Sequence, residues 1–158
     1  MPIAAPTLED DTLRLVGLPN PLPVLDRAEV SFERTARPDQ DARRPGQARR
    51  ILAACMGVWR LRGYVDDAEL LLSELVTNAF RHGTGDAVRV RFFLTEAYVC
   101  FEVRSGCADA AQAKAGPSLD EGGRGLFLVS RIAADWAVSS DHAGVWCTLP
   151  IVRAENAT

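Results

Sequence analysis

From residue 45 onward the apolar positions Ala48, Ile51, Leu52, Cys55, Val58 and Trp59 recur every three or four residues, with arginines between them. That period is the mark of a helix with one buried face, and it predicts a helix over 45–61 that Gly63 ends. A second run, Leu70, Leu71, Leu72, Leu75, Val76 and Ala79, covers a wider stripe, with Asp66 and Asp67 at its start and Gly83 and Gly85 after its end. So wide a stripe predicts a buried central helix. The period then drops to two. Val88, Val90, Phe92 and Leu94 alternate with other residues, as do Val99, Phe101 and Val103, so two strands joined by a hairpin at 95–97 are predicted.

The flanking segments follow the same rules. Val30 and Phe32 predict a short edge strand over 29–35, broken by Pro38 and Asp39. Residues 105–124 form a long polar stretch of the kind that serves as a lid. Leu126, Leu128, Val129 and Ile132 predict a short helix, and 136–139 and 145–149 two last strands about a turn at 141–144. Five of the nine prolines fall within residues 1–28, which predicts an irregular arm with a short extended piece at 12–16. The order of elements points to an α+β fold: a two-layer α/β sandwich whose mixed, mainly antiparallel sheet carries three helices on one face. We divide the chain into an arm (1–28), a domain (29–152) and a tail (153–158).

Composition narrows the function. A chain of 158 residues, 47% hydrophobic and 25% charged, fits one core. Its net charge of -3 lacks the basic surplus that nonspecific nucleic-acid binding needs, so no direct nucleic-acid partner is expected. The acidic start does not read as a secretory signal, and no run approaches the roughly 18 apolar residues of a membrane span. The expected location is the cytoplasm. Cys55, Cys100, Cys107 and Cys147 form no CxxC pair; three sit in apolar runs as small hydrophobes, and Cys107 alone lies in a loop.

Two groups of residues could carry chemistry. Glu74, Asn78 and His82 recur at four-residue spacing and line one face of the central helix. They could be an exposed face, or a carboxylate and an amide turned to a pocket, the amide oxygen binding Mg2+ and the carboxylate taking a proton. The second group is Gly122-Gly123-Arg124-Gly125-Leu126, ahead of the short third helix. Glycines allow close backbone approach, and a helix N-terminus offers free N–H groups to phosphate, although a flexible turn has the same composition.

Together, in this order, the two groups resemble a known family. Residues 74–83, Glu-Leu-Val-Thr-Asn-Ala-Phe-Arg-His-Gly, are similar to the N-box helix, and Glu121 to Leu126 to the second glycine box, of the GHKL class with its Bergerat-type ATP-binding fold. The branch resembled is that of the anti-sigma-factor serine kinases and their stand-alone actinobacterial relatives. The resemblance implies ATP and Mg2+ as cofactors and a kinase that phosphorylates a serine of an antagonist protein and binds a sigma factor, as a homodimer. It makes Glu74 the catalytic base and Asn78 the Mg2+ ligand. Gly122, Gly123, Arg124, Gly125 and Leu126 would line the phosphates, and His82, Ser105 and Thr148 would complete the nucleotide site.

One position departs from the family pattern. Where the family carries an Asp that accepts a hydrogen bond from the adenine amino group, this chain has Ser105. Losing a charge-assisted contact costs about 1.5–3 kcal/mol, roughly tenfold or more in Kd. The departure motivates an alternative, a noncatalytic interaction module of the same fold with weak or lost nucleotide binding.

Overall fold

The structure, a computed structural model, describes residues 6–35, 37–106, 133 and 135–153. A two-stranded ribbon, β1 (Thr7–Leu8) with β2 (Leu22–Pro23), encloses α1 (Thr12–Leu15). The main sheet contains β3 (Asp26–Glu33), β4 (Ala87–Leu94), β5 (Tyr98–Arg104), β6 (Asp135–Val138) and β7 (Gly144–Pro150), in the order β3-β4-β5-β7-β6. Each neighbouring pair among these strands is antiparallel. Between β3 and β4 run a short turn, α2 (Pro38–Asp41), and two long helices, α3 (Arg44–Val58) and α4 (Val65–His82).

Alternation along the strands sorts side chains to two faces. Val88, Val90, Phe92, Val99, Phe101, Val103, Val145, Cys147 and Leu149 pack with α3 and α4 in the main core. Helices thus pack against an antiparallel sheet, as the order of elements requires. In α4 the buried residues are Ala68, Leu71, Leu72, Leu75, Val76 and Ala79, so the wide stripe is the packed face, with Leu70 at its exposed margin. The expected third helix, 126–132, lies outside the described residues.

The first long helix is shorter and narrower than its periodicity implied. Only Ala48, Leu52 and Met56 are buried on it, a strict four-residue row that leaves Val58 on the far side, 76% exposed. The helix also stops before Gly63. Arg60 takes a left-handed φ of 60°, and Leu61 N donates to Met56 O at 2.8 Å, so the chain turns back within three residues of Val58. That turn drops Trp59 into the core, where its Nε1 donates to Asp26 Oδ2 at 2.8 Å.

The arm differs most from its expectation. Residues 12–15 are helical, not extended, and Leu13, Val16, Leu18, Leu22 and Val24 bury against Phe93, Cys100, Ala137 and Trp146 on the sheet's second face. Gly17, at φ 71°, closes the helix while Leu18 N donates to Leu13 O at 2.8 Å. Prolines elsewhere in the arm do not prevent one helical turn between them. Among the described residues no helix is long and apolar enough to cross a membrane.

Candidate functional site

The polar line of α4 faces the end of the sheet where β5 stops. Asn78, His82 and Gly83 border a small cleft with Leu75, Ala79, Val103, Ser105 and Val145. The volume is about 10 Å3, room for one water. Ser105 reaches it because it continues the row Val99, Phe101, Val103 that faces the helices. Two elements far apart in sequence therefore bring an amide, an imidazole and a hydroxyl to one place.

Their side chains are uncommitted among the described residues. Among the described residues no hydrogen bond or ion pair holds the Glu74 carboxylate, the Asn78 amide or the His82 ring, although all three are half-buried. A half-buried amide left without partners costs free energy unless water or a ligand satisfies it. Glu74 stands one turn before Asn78 and does not itself border the cleft.

The backbone around the cleft is held closely. Gly85 N donates to Ser105 O at 2.8 Å, and Ser105 N and Gly106 N both donate to Ala143 O, at 2.8 and 3.1 Å. A β-carbon on Gly85 would lie 2.5 Å from Ser105 O, so glycine is needed there for close approach of two backbones. The turn bearing Ala143 is itself pinned. Asp141 Oδ1 accepts from Ala143 N at 3.0 Å and from Ser139 Oγ at 2.8 Å, while Oδ2 pairs with Arg104. The Ala143 amide first, then Arg104 and Ser139, hold the Asp141 carboxyl down to about 2 against the cost of burial.

Thr148 is not brought to the cleft. Its strand partners are Cys100 and Asp135, and the alternation that sends Val145, Cys147 and Leu149 to the helices sends Thr148 to the arm side of the sheet. There it is fully buried, with its hydroxyl 3.4 Å from Asp135 O. Val145, which the sequence reading did not single out, borders the cleft from the same strand. Gly122, Gly123, Arg124, Gly125 and Leu126, and also Cys107, lie outside the described residues.

Other ionisable groups belong to the scaffold. Glu102, fully buried on the arm side, takes Arg91 Nε at 2.6 Å with Arg104 Nη1 at 3.6 Å, and Arg91 lies over the Phe93 and Trp146 rings. Burial pushes the Cys100 thiol up to about 12 and raises Cys147 and Cys55 as well, so these three stay protonated and unreactive near neutral pH. Arg34 also escaped the sequence reading, since nothing in a lone arginine after an edge strand signals a role. Its Nε donates to Gly85 O at 2.8 Å, Nη1 to Phe80 O at 2.8 Å and Nη2 to Ala79 O at 3.0 Å.

A family model described as a histidine kinase-like ATPase domain matches residues 24–150. No curated protein matches the chain.

Proposed function

This chain belongs to the histidine kinase-like ATPase domain family, and from that premise we propose that it binds ATP with Mg2+ at the cleft between α4 and the end of β5. The observation that carries the reading is the uncommitted amide of Asn78, set beside His82 and Ser105 on one cleft. An amide oxygen without a partner among the described residues is a suitable hard ligand, so Asn78 would hold the Mg2+. Bound there, the ion would supply positive charge against the phosphates. Gly122, Gly123, Arg124, Gly125 and Leu126 would meet the phosphates, as the glycine box of the family does. The cleft has room for about one water, so a purine would enter only as its lining side chains part.

The finer reading is a protein-serine kinase of the anti-sigma-factor type. Glu74, half-buried and without a partner among the described residues, stands one turn from Asn78 and would take the proton of an incoming serine hydroxyl as its oxygen bonds to the γ-phosphorus of ATP and the bond to the β-phosphate oxygen breaks, releasing ADP. That serine would belong to a small antagonist protein, and the same chain would sequester a sigma factor, as a cytoplasmic homodimer. Calorimetric titration with ATP and Mg2+ tests the nucleotide step: the absence of both heat and thermal stabilisation at millimolar nucleotide removes it. Transfer of labelled phosphate to an antagonist serine, lost in Glu74→Gln, tests the kinase step.

Ser105 favours a second reading, a noncatalytic interaction module. No carboxylate borders the cleft among the described residues, so nothing there offers a charged acceptor to an adenine amino group. On this reading Ser105→Asp creates nucleotide binding that the parent lacks. Tight binding by the parent, abolished in Asn78→Ala, excludes it.

A further inference from the structure

The end of α4 is not capped by its own sequence. The residue that follows it as C-cap, Gly83, is extended (φ -76°, ψ 154°) and satisfies only Ala79 O, at 2.9 Å. The remaining carbonyls of a last turn need partners from elsewhere. Arg34 supplies one for Phe80 O and shares Ala79 O with Gly83 N. Its planar fork reaches Ala79 O and Phe80 O in the helix and Gly85 O beyond it, and the guanidinium lies 5.5 Å from the centre of the Phe80 ring. The positive charge also sits where the helix dipole is negative.

This contact lies beside the cleft. A β-carbon built on Gly83 would stand 2.6 Å from Arg34 Nη2 and 2.4 Å from Ser105 Cβ, so arginine, glycine and serine meet at one point. Arg34 N also donates to Asp86 O at 2.8 Å, and Gly85 N to Ser105 O. The segment 83–86 is therefore tied to the edge-strand side by Arg34 and to the β5 end by Ser105. We propose that Arg34 is a positioning residue of the nucleotide cleft. It sets the separation between the helix face carrying Asn78 and His82 and the strand end carrying Ser105. The inference rests on the nucleotide reading above and assigns a further residue to that site. Three carbonyls in diverging directions suit a guanidinium fork and not the single point of a lysine ammonium.

The test uses the full chain as Arg34→Lys and Arg34→Gln, with Leu52→Ala as a control that loosens the core away from the cleft. Two quantities are read, both well below the unfolding temperature of each variant. They are amide hydrogen exchange at Gly83, Gly85 and Ser105 without ligand, and affinity for ADP with Mg2+ by calorimetry. The expected result is faster exchange at Gly83 and Gly85 and an affinity lower by about tenfold in both Arg34 variants, with Leu52→Ala keeping the parent's affinity. Unchanged exchange at those amides, or unchanged affinity despite faster exchange, overturns the assignment while leaving the nucleotide reading intact. A parent that binds no ADP overturns the nucleotide reading itself, and the positioning role with it, whatever the exchange shows. An affinity loss in Leu52→Ala equal to that of Arg34→Lys reduces the arginine to general stability and also overturns the proposal.

Discussion

Gly83 and Ser105 approach so closely that a β-carbon built on the glycine would lie 2.4 Å from that of the serine. Backbone conformation is not the constraint, since Gly83 has a φ of -76°. The same β-carbon would also stand 2.5 Å from Ala79 O, which the helix fixes in place, so the strain has no flexible side chain to absorb it. Gly83→Ala should therefore destabilise the fold by about 1–3 kcal/mol, the usual range for overpacking. Urea denaturation at neutral pH measures it. A loss below a few tenths would mean that the helix end and the strand end are free to separate.

Asn78 offers the opposite combination. Its half-buried amide makes no hydrogen bond among the described residues, so Asn78→Ala removes no internal partner and gains up to about 0.7 kcal/mol of helix propensity. Its melting temperature should equal or slightly exceed the parent's. On the proposed function, Mg2+-dependent nucleotide binding should nevertheless be lost. Thermal unfolding with and without ADP and Mg2+ reads both at once: equal ligand-induced stabilisation in parent and variant would deny the amide any part in binding.

Periodicity made the elements that build the cleft legible. The wide apolar stripe of α4 identified the packed face, and the four-residue spacing of Glu74, Asn78 and His82 placed a polar line beside it. Two-residue alternation through Val99, Phe101 and Val103 fixes the side of the sheet on which Ser105 emerges. The same alternation through Val145, Cys147 and Leu149 excludes Thr148 from that side; its assignment came from a resemblance in position along the chain, which carries no information about the face. Arg34 left no trace in the sequence because its partners are backbone carbonyls, which every residue has. The arm was obscured by composition. Its prolines bracket a stretch, Thr12 to Gly17, whose own signals, two leucines and a valine before a closing glycine, describe one helical turn.

The arm's packing has a measurable consequence. Leu13 is fully buried between α1 and the second face of the sheet, in a cluster with Phe93 and Trp146, whose rings stack 5.7 Å apart. Leu13→Ala should cost about 2–5 kcal/mol, as for a leucine deleted from a core. An irregular, solvated arm would lose no more than about 0.5 kcal/mol at the same position. The midpoint of urea unfolding separates these outcomes, and the smaller value would return the arm to a loosely attached segment.

Asp141 links acidity to the cleft. In the folded chain its carboxyl is held at about 2, below the ordinary 3.8, so the ionised form favours the folded state. A depressed carboxylate contributes stability that is complete above its ordinary value and is lost as pH falls through its folded value. The window is thus from near pH 4 down to about 2, and its amplitude is damped because the side chain is 54% exposed. Asp26 and Glu29 are lowered too, by Trp59 and Arg89 respectively, so Asp141→Asn should flatten the acid limb of the stability profile without abolishing it. The variant should also loosen the turn whose Ala143 carbonyl accepts from Ser105 and Gly106, raising amide exchange at those two residues at neutral pH. Denaturant midpoints from pH 2 to 6, compared between parent and variant, provide the check. Parallel profiles would show that Asp141 is equally ionised when folded and unfolded, and that the turn beside the cleft is held by its backbone alone.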